Sequence, residues 1–472
     1  MIFRRAKLIC TLGPACDTKE GLRELIRAGM DVARFNFSHG THEEHRARLQ
    51  RLREVAEEMN RPVAALQDLC GPKVRTAAFA APFDLPTGSK VTLIEGSKDT
   101  VRADANVIPI EYEGLAEDVR VSDKILFDDG RLVLEVTALE GSVVHATVTQ
   151  GGGMRSRIGV HLPSRTMRGG ALTEKDKLDL AFGLEQEFDY VALSFVRRAD
   201  DLQQVRNICL AAGKNIPVVA KIETPDAVDN LESVIAASDV VMVARGDLGV
   251  EYPPERVPVI QRQILGVARR VRRPVIVATE MLQSMTKATR PTRAEASDVA
   301  NAVYAGTDCV MLSGETANGD FPTLSAQMMA SIASEAETSA FYEVIPYATR
   351  ATNVAEAVAR GAVNTAKEIG AKYIVAFTES GSSAALVSLA RPHVPIVAYS
   401  PYLRTRRKTN LYWGVMPRAM ETMNDIDKLT AWVSEDLIAS GLAVAGERVV
   451  MVFGAPIGLV GSTNSMRVHV LS

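Results

Sequence analysis

The chain has 472 residues, well past the roughly 250–300 at which a single core divides, so several domains are expected. A hydrophobic fraction of 47% and a charged fraction of 24% exclude disorder, collagen and coiled coil as global descriptions. Lys plus Arg number 54 against 57 Asp plus Glu, a net charge of -3. That balance offers no bulk field for nucleic acid or an anionic membrane, though it leaves room for a local positive cleft.

The N-terminal basic and apolar stretch is broken by Gly13, Pro14 and Asp17, too soon for a signal peptide. No apolar run approaches the ~18 residues of a membrane helix. Five cysteines, an odd number with no C-x-x-C pair, speak against a disulfide framework or zinc site and for a reducing cytoplasm.

Short apolar runs then recur, each ending in polar residues: Ala6–Pro14, Asp31–Gly40, Pro62–Gly71, Asp189–Arg197, Pro217–Glu223, Asp239–Gly249, Pro274–Met281 and Asp308–Glu315. Helical stretches separate most of them: Lys19–Ala28, His42–Met59, Ala199–Ala212, Pro258–Val271 and Thr292–Ala305. Continuous apolar runs are the mark of buried parallel strands. Eight of them alternating with helices predict an α/β chain built on a (β/α)8 TIM barrel, with a doubly wound sheet as the alternative.

The interval after Asp68 is too long for one helix. Short β patterns at Lys90–Ile94, Lys124–Phe127, Arg131–Val136 and Val143–Thr149 are separated by turn signals at Pro86–Gly88, Asp128–Gly130 and Gly151–Gly153. They predict a small antiparallel β-barrel or sandwich inserted in a βα loop, a lid over the strand C-termini where active sites of this fold lie. After about Ala340 a helix at Asn353–Ile369 and strands at Tyr373–Phe377, Ile396–Tyr399, Arg448–Phe453 and Arg467–Val470 predict a separate α/β domain. The expected division is 1–71 with 161–340 for the catalytic barrel, 72–160 for the lid, and 341–472 for a regulatory C-terminal domain.

Lys221-Ile-Glu223 followed by Arg245-Gly-Asp247 is the most informative constellation. Lys221 and Glu223, two apart on a strand, share a face, and Asp247 ends the neighbouring strand. Two carboxylates beside an ammonium suit a divalent cation and a charge over a developing anion; a structural ion pair closing the barrel top is the alternative. Arg34, Asn36 and Ser38 alternate on one face, with Arg34 a fork for phosphate or carboxylate. Asp68 ends the third strand, Lys73 and Arg75 add cations at the lid, and Thr279 and Ser313 place hydroxyls at the last two strand ends. Each hydroxyl alone also fits an N-cap or turn. Together the strand ends point to an anionic, phosphorylated substrate and a divalent metal.

These strings resemble the pyruvate kinase family, in the bacterial-type branch without an N-terminal extension domain. The resemblance is carried in order by Thr11–Pro14, Arg34-Phe-Asn-Phe-Ser-His-Gly40, Asp68 with Gly71-Pro72 and Arg75, Leu172–Asp176, Lys221-Ile-Glu223, Ala244–Gly249, Arg290–Ala302, Met311–Ala317 and Gly461–Asn464. It implies phosphoryl transfer from phosphoenolpyruvate to ADP, giving pyruvate and ATP in glycolysis. Glu223 and Asp247 would hold Mg2+ or Mn2+. Lys221 would sit against the phosphoryl group and then the enolate, Arg34 would grip the phosphoryl, and Thr279 and Ser313 would relay a proton. Gly246 and Asp247 amides would bind the substrate carboxylate, and Asn36, His39, Arg75 and Arg157 the nucleotide.

Relatives that need potassium hold it with residues matching Asn36, Ser38, Asp68 and the Leu69 carbonyl, with Thr at Leu69 and Glu at Lys73. Leu69 and Lys73 therefore imply that K+ is not required, the Lys73 ammonium taking its charge position. Ile158, His161 and Glu280 also depart from the family pattern. Thr378, Ser380, Gly381, Ser382 and Ser383 imply a pocket for a sugar-phosphate or nucleotide effector. The resemblance further implies a cytoplasmic homotetramer, with neither nucleic acid nor membrane as partner. An aldolase or lyase on the same barrel, and a non-catalytic binding paralogue, are the rival readings.

Overall fold

A computed structural model describes residues 3–97, 101–102, 106–128, 130–162, 170–347, 350–423, 425–456 and 463–472. Asp129 of one expected turn and residues 461–462 of the last motif lie outside the described residues. Eight parallel strands close into a barrel in chain order: Lys7–Thr11, Met30–Asn36, Ala64–Asp68, Tyr190–Leu193, Val218–Ile222, Val240–Ala244, Val275–Ala278 and Cys309–Leu312. Seven of them are buried along their whole length, which is why they read as unbroken apolar runs rather than alternating ones. The helix His42–Glu58 opens on a capping box between Thr41 and Glu44, satisfying two orphan donors reciprocally.

The bottom of the barrel follows a fourfold rule. Asp31, Asp189, Asp239 and Asp308 stand at or next to the starts of the even-numbered strands. Each accepts an amide at the start of the preceding odd strand: Leu8 N at 2.9 Å, and Ala65, Val218 and Val275 N at 2.8 Å. Each is also paired with arginine: Arg4, Arg53 and Arg407, Arg206, and Arg391 respectively. A barrel so clamped at its N-terminal face leaves the opposite rim free for chemistry.

The insertion leaves the barrel after Asp68 and returns before the helix Glu174–Glu185. It forms a seven-stranded sheet in the order Val74–Arg75, Gly159–His161, Lys124–Phe127, Leu132–Glu140, Val143–Gln150, Lys90–Glu95, Val107–Ile110. A single bridge from Thr76 to Ile110 curls the last strand onto the first, giving a small barrel around Leu93, Ile108, Phe127 and Leu134. The sheet is mixed rather than purely antiparallel, since Lys90–Glu95 and Val107–Ile110 run parallel.

The C-terminal domain has a five-stranded sheet, Val415–Ala419, Ile396–Ser400, Tyr373–Phe377, Arg448–Gly454 and Thr463–Val470, with only the last strand antiparallel. Val415–Ala419 is not among the strands expected from the sequence; its Pro417 is tolerated here on a sheet edge. The domain docks on the barrel bottom: Lys7 Nζ donates to Val415 O at 2.6 Å and Tyr190 Oη to Lys408 O at 2.7 Å.

Candidate active site

Four consecutive strand ends converge at the upper rim. Arg34 near the end of the second strand donates Nε to Asp68 Oδ2 at 2.6 Å and Nη1 to Thr11 Oγ1 at 3.0 Å. Lys221 on the fifth strand lies 3.4 Å from Asp68 Oδ1 and 3.4 Å from Glu223 Oε2. Its shortest contact is Ser194 Oγ, just after the fourth strand, at 2.6 Å. Glu223 Oε1 accepts the Phe195 amide at 2.6 Å, from a residue held at φ 53°.

All of these carboxylates and the ammonium are buried, so their charges act through little water. Burial alone would raise the Asp68 pKa, but Lys221 and Arg34 together bring it below its ordinary value. For Lys221 burial works downward, and Asp68, Glu223 and Asp247 outweigh it, so the ammonium is strengthened. Glu223 goes the other way: burial pushes its carboxyl up, Lys221 opposes and Asp247 adds to the rise.

Glu223 Oε2 and Asp68 Oδ1 are buried oxygens that make no hydrogen bond, with the Lys221 ammonium 3.4 Å from each. An acceptor-rich, donor-poor spot of this kind fits a hard cation. Among the described residues no cluster of three or more His, Cys, Asp or Glu is set to hold a metal. Asp247 lies near enough to Glu223 to push its carboxyl up, and two neighbouring carboxylates are the kind of donor set that suits Mg2+ or Mn2+, ions that keep waters and take substrate oxygens as well.

Thr279 and Glu280 carry left-handed backbone, φ 66° and 55°, an outlier for a β-branched residue. Arg245 holds them there. Its guanidinium donates to the Thr279 carbonyl at 2.8 and 3.2 Å and to Asp298 Oδ2 at 2.6 Å. The Arg245 donors are thus spent on this strained turn and on Asp298. Thr279 Oγ1 accepts the Gly246 amide at 2.7 Å and donates to Ala278 O at 2.6 Å, so both groups are already engaged with each other. Ser313 Oγ, by contrast, is buried with no hydrogen-bond partner. Glu280 is exposed.

The loop after Arg34 folds on itself: Asn36 Oδ1 accepts the Ser38 amide at 3.1 Å and Asn36 O the His39 amide at 3.3 Å. His39 is shifted down by burial, then by Arg75, Lys73 and Arg34, which brings these cations into its neighbourhood. Beneath it His45 stacks on Phe37 with centroids 4.1 Å apart. Its Nε2 meets the His39 carbonyl at 2.9 Å. Arg75 donates to the Arg157 carbonyl at 3.2 Å. Leu69 is buried and its carbonyl accepts Ser194 Oγ at 2.7 Å. Ile158 and His161 are buried in the lid.

The five candidate effector residues sit apart, in the C-terminal domain. Thr378 Oγ1 accepts the Gly381 amide at 2.9 Å and Ser380 Oγ donates to Ser382 Oγ at 3.1 Å. Ser383 points inward and shares a hydrogen bond with Thr463 Oγ1 at 2.7 Å. Lys408 Nζ reaches the Ser380 carbonyl at 3.3 Å.

Ser194, Thr11 and Asp298 were not singled out from the sequence. A leucine-serine-phenylalanine strand end carries no local sign that its hydroxyl will meet a lysine two elements later. The only available signal was its place at a barrel strand end.

Residues 3–326 match the family model described as pyruvate kinase, barrel domain, and residues 356–469 the one described as pyruvate kinase, alpha/beta domain. A pyruvate kinase of Clostridium acetobutylicum is 40% identical over 474 residues, covering 99% of this chain and 100% of the relative. Pyruvate kinases of Sporosarcina psychrophila and Staphylococcus aureus are 39% identical, each match covering 99% of this chain and 81% of the relative.

Proposed function

The chain belongs to the pyruvate kinase family, and from that premise we propose how its own residues divide the work of the family's reaction and what sets this member apart. The enzyme is a phosphotransferase: a phosphoryl group passes from phosphoenolpyruvate to ADP, giving pyruvate and ATP. The P–O bond to the enol oxygen breaks, a P–O bond to the terminal ADP oxygen forms, and the enolate takes a proton on its methylene carbon.

The observation that carries the site assignment is the Arg34–Asp68–Lys221–Glu223 constellation at the rim. Such transfers depend on positioning and charge stabilisation, and fixed cations beside a donor-poor carboxylate supply both. Arg34, aimed by Asp68 and Thr11, grips the phosphoryl group. Lys221 faces the group in flight and then the enolate oxygen. Glu223 and Asp247 would hold a divalent cation, which would supply positive charge against the phosphate and carboxylate of the substrate. His39, Arg75, Asn36 and Arg157 face the nucleotide phosphates from the loop and the lid, 72–160, that closes over the barrel of 1–71 and 161–340. Of the two hydroxyls read as a proton relay, Ser313 is the one whose Oγ has no partner, so it is the better placed to pass a proton; Thr279 fixes the Gly246 turn.

Catalysis by this member does not require potassium. Leu69 contributes no side-chain oxygen and its carbonyl is already bonded to Ser194, while Lys73 lies close enough to depress His39. An effector pocket at Thr378–Ser383 in the domain 341–472 would take a phosphorylated ligand on its serine hydroxyls. All five cysteines are unpaired, in keeping with a reducing cytoplasm. No described helix is long and apolar enough to cross a membrane. The test is pyruvate formation from phosphoenolpyruvate with and without ADP, with potassium varied at constant ionic strength. Pyruvate should require ADP and change less than about twofold with potassium; a large potassium activation removes the Lys73 reading, and ADP-independent pyruvate the transferase reading.

A further inference from the structure

Ser194 is buried beside Lys221, and the bonds of its hydroxyl fix which way each proton points. A hydroxyl has one proton, and that of Ser194 is donated to Leu69 O at 2.7 Å. Towards Lys221 Nζ, 2.6 Å away, it can therefore only accept. Leu69 is itself fixed, its amide donating to Ala192 O at 3.0 Å. The chain also packs closely over this corner. A Cβ added at Gly71 would stand 2.8 Å from Phe195 Cδ2 and 3.1 Å from Ser194 Cβ.

The distances around the ammonium are unequal in an informative way. Its two carboxylate neighbours are both 3.4 Å away, longer than the roughly 2.7–2.9 Å of a charge-assisted bond. The nearest atom is the neutral oxygen of Ser194. An ammonium left to itself between two buried carboxylates would close onto one of them; this one is held off both.

We propose that Ser194 is a positioning residue for phosphoryl transfer, which tethers Lys221 Nζ between Asp68 and Glu223 so that its charge stays available to the phosphoryl group and the enolate. The inference rests on the role given to Lys221 above. Without the tether Nζ pairs with a carboxylate, which weakens its hold on the developing anion while leaving Arg34 to bind the ground state.

The test compares Ser194→Ala, Ser194→Cys and Ser194→Thr in the full-length enzyme. Ala removes the acceptor and Cys fills the space with a poor one; both should lower kcat on the order of 10- to 100-fold, the range for a residue that orients a reacting group. KM for phosphoenolpyruvate should move less than about threefold, since an interaction made only in the transition state is lost. Exchange of pyruvate methyl protons with D2O, followed by NMR with Mg2+ and ATP present, should fall by the same factor, because it draws on the same ammonium. Thr keeps the hydroxyl and should stay within about threefold of the parent. Unchanged kcat and exchange in the Ala and Cys variants overturns the inference, as does an equal loss in all three with a common drop in melting temperature. Lys221→Ala in parallel separates the two levels. If it retains the parent kcat, the role of Lys221 fails and this inference with it; if it is inactive while Ser194→Ala and Ser194→Cys are parental, only this inference fails.

Discussion

Arg34 Nε and Asp68 Oδ2 are joined by a 2.6 Å hydrogen bond, so a carboxylate on the third strand aims the guanidinium of the second. Asp68 is buried and its acid form is disfavoured by Lys221 and Arg34 despite that burial. It is the hub that lets two cations stand close together without expelling each other. Arg34→Lys keeps the charge but cannot reach Asp68 and Thr11 with a planar fork, and should raise KM for phosphoenolpyruvate by about tenfold or more. Asp68→Asn should lower kcat as well, because it removes one of the two carboxylates between which Lys221 stands. Steady-state kinetics check both.

Glu223 Oε2 is buried and makes no hydrogen bond. Titration of Mn2+ followed by the free-ion EPR signal should show at least about tenfold weaker binding in Glu223→Gln, since one anionic ligand is lost. Unaltered binding would place the cation elsewhere. The measurement needs no turnover.

His45 gives the fold a pH dependence with a definite sign. Burial pushes its pKa down to about 4, the His39 carbonyl opposing and Arg48 adding to the shift. Nε2 donates to the His39 carbonyl, and Nδ1 is buried with no partner for a second proton. The unfolded imidazole, with a pKa of about 6.5, binds protons that the folded one refuses. Stability from this residue is therefore complete above about pH 6.5 and is lost as pH falls toward 4, by roughly 3 kcal/mol in all. The melting temperature of His45→Phe should fall less between pH 7 and pH 5 than that of the parent; identical falls would assign the acid sensitivity to other groups.

The serines at the start of the helix Ser382–Leu389 test the regulatory reading. Ser380 and Ser382 face each other across the turn, whereas Ser383 is committed to Thr463. Ser380→Trp with Ser382→Trp should abolish any rate response to a panel of sugar phosphates and nucleotides. Ser383→Ala should keep that response. Activation surviving the double tryptophan variant would place the pocket elsewhere.

Much of this was legible in the residues because barrel chemistry sits at strand ends. Lys221 and Glu223 announce a shared face by being two apart, and the Arg34–Asn36–Ser38 alternation does the same. What escaped are relations between strands distant in sequence. Ser194 acquires its role from Lys221 across the fourth and fifth strands. Arg245 looks like a free cation until the turn at Thr279 and the carboxylate of Asp298 surround it. The aspartates at 31, 189, 239 and 308 opened the expected runs, yet their purpose emerges only when each is seen to hold the neighbouring strand's amide.

If phosphoryl transfer is centred on Lys221, the decisive comparison is kcat of Lys221→Met against the parent in saturating phosphoenolpyruvate, ADP and Mg2+, with Mn2+ binding measured on the same samples. Loss of the ammonium should cut kcat by more than about a thousandfold, the scale of a lost transition-state charge partner, while the metal still binds through Glu223 and Asp247. A variant that binds the metal and retains kcat within about tenfold of the parent would contradict the account.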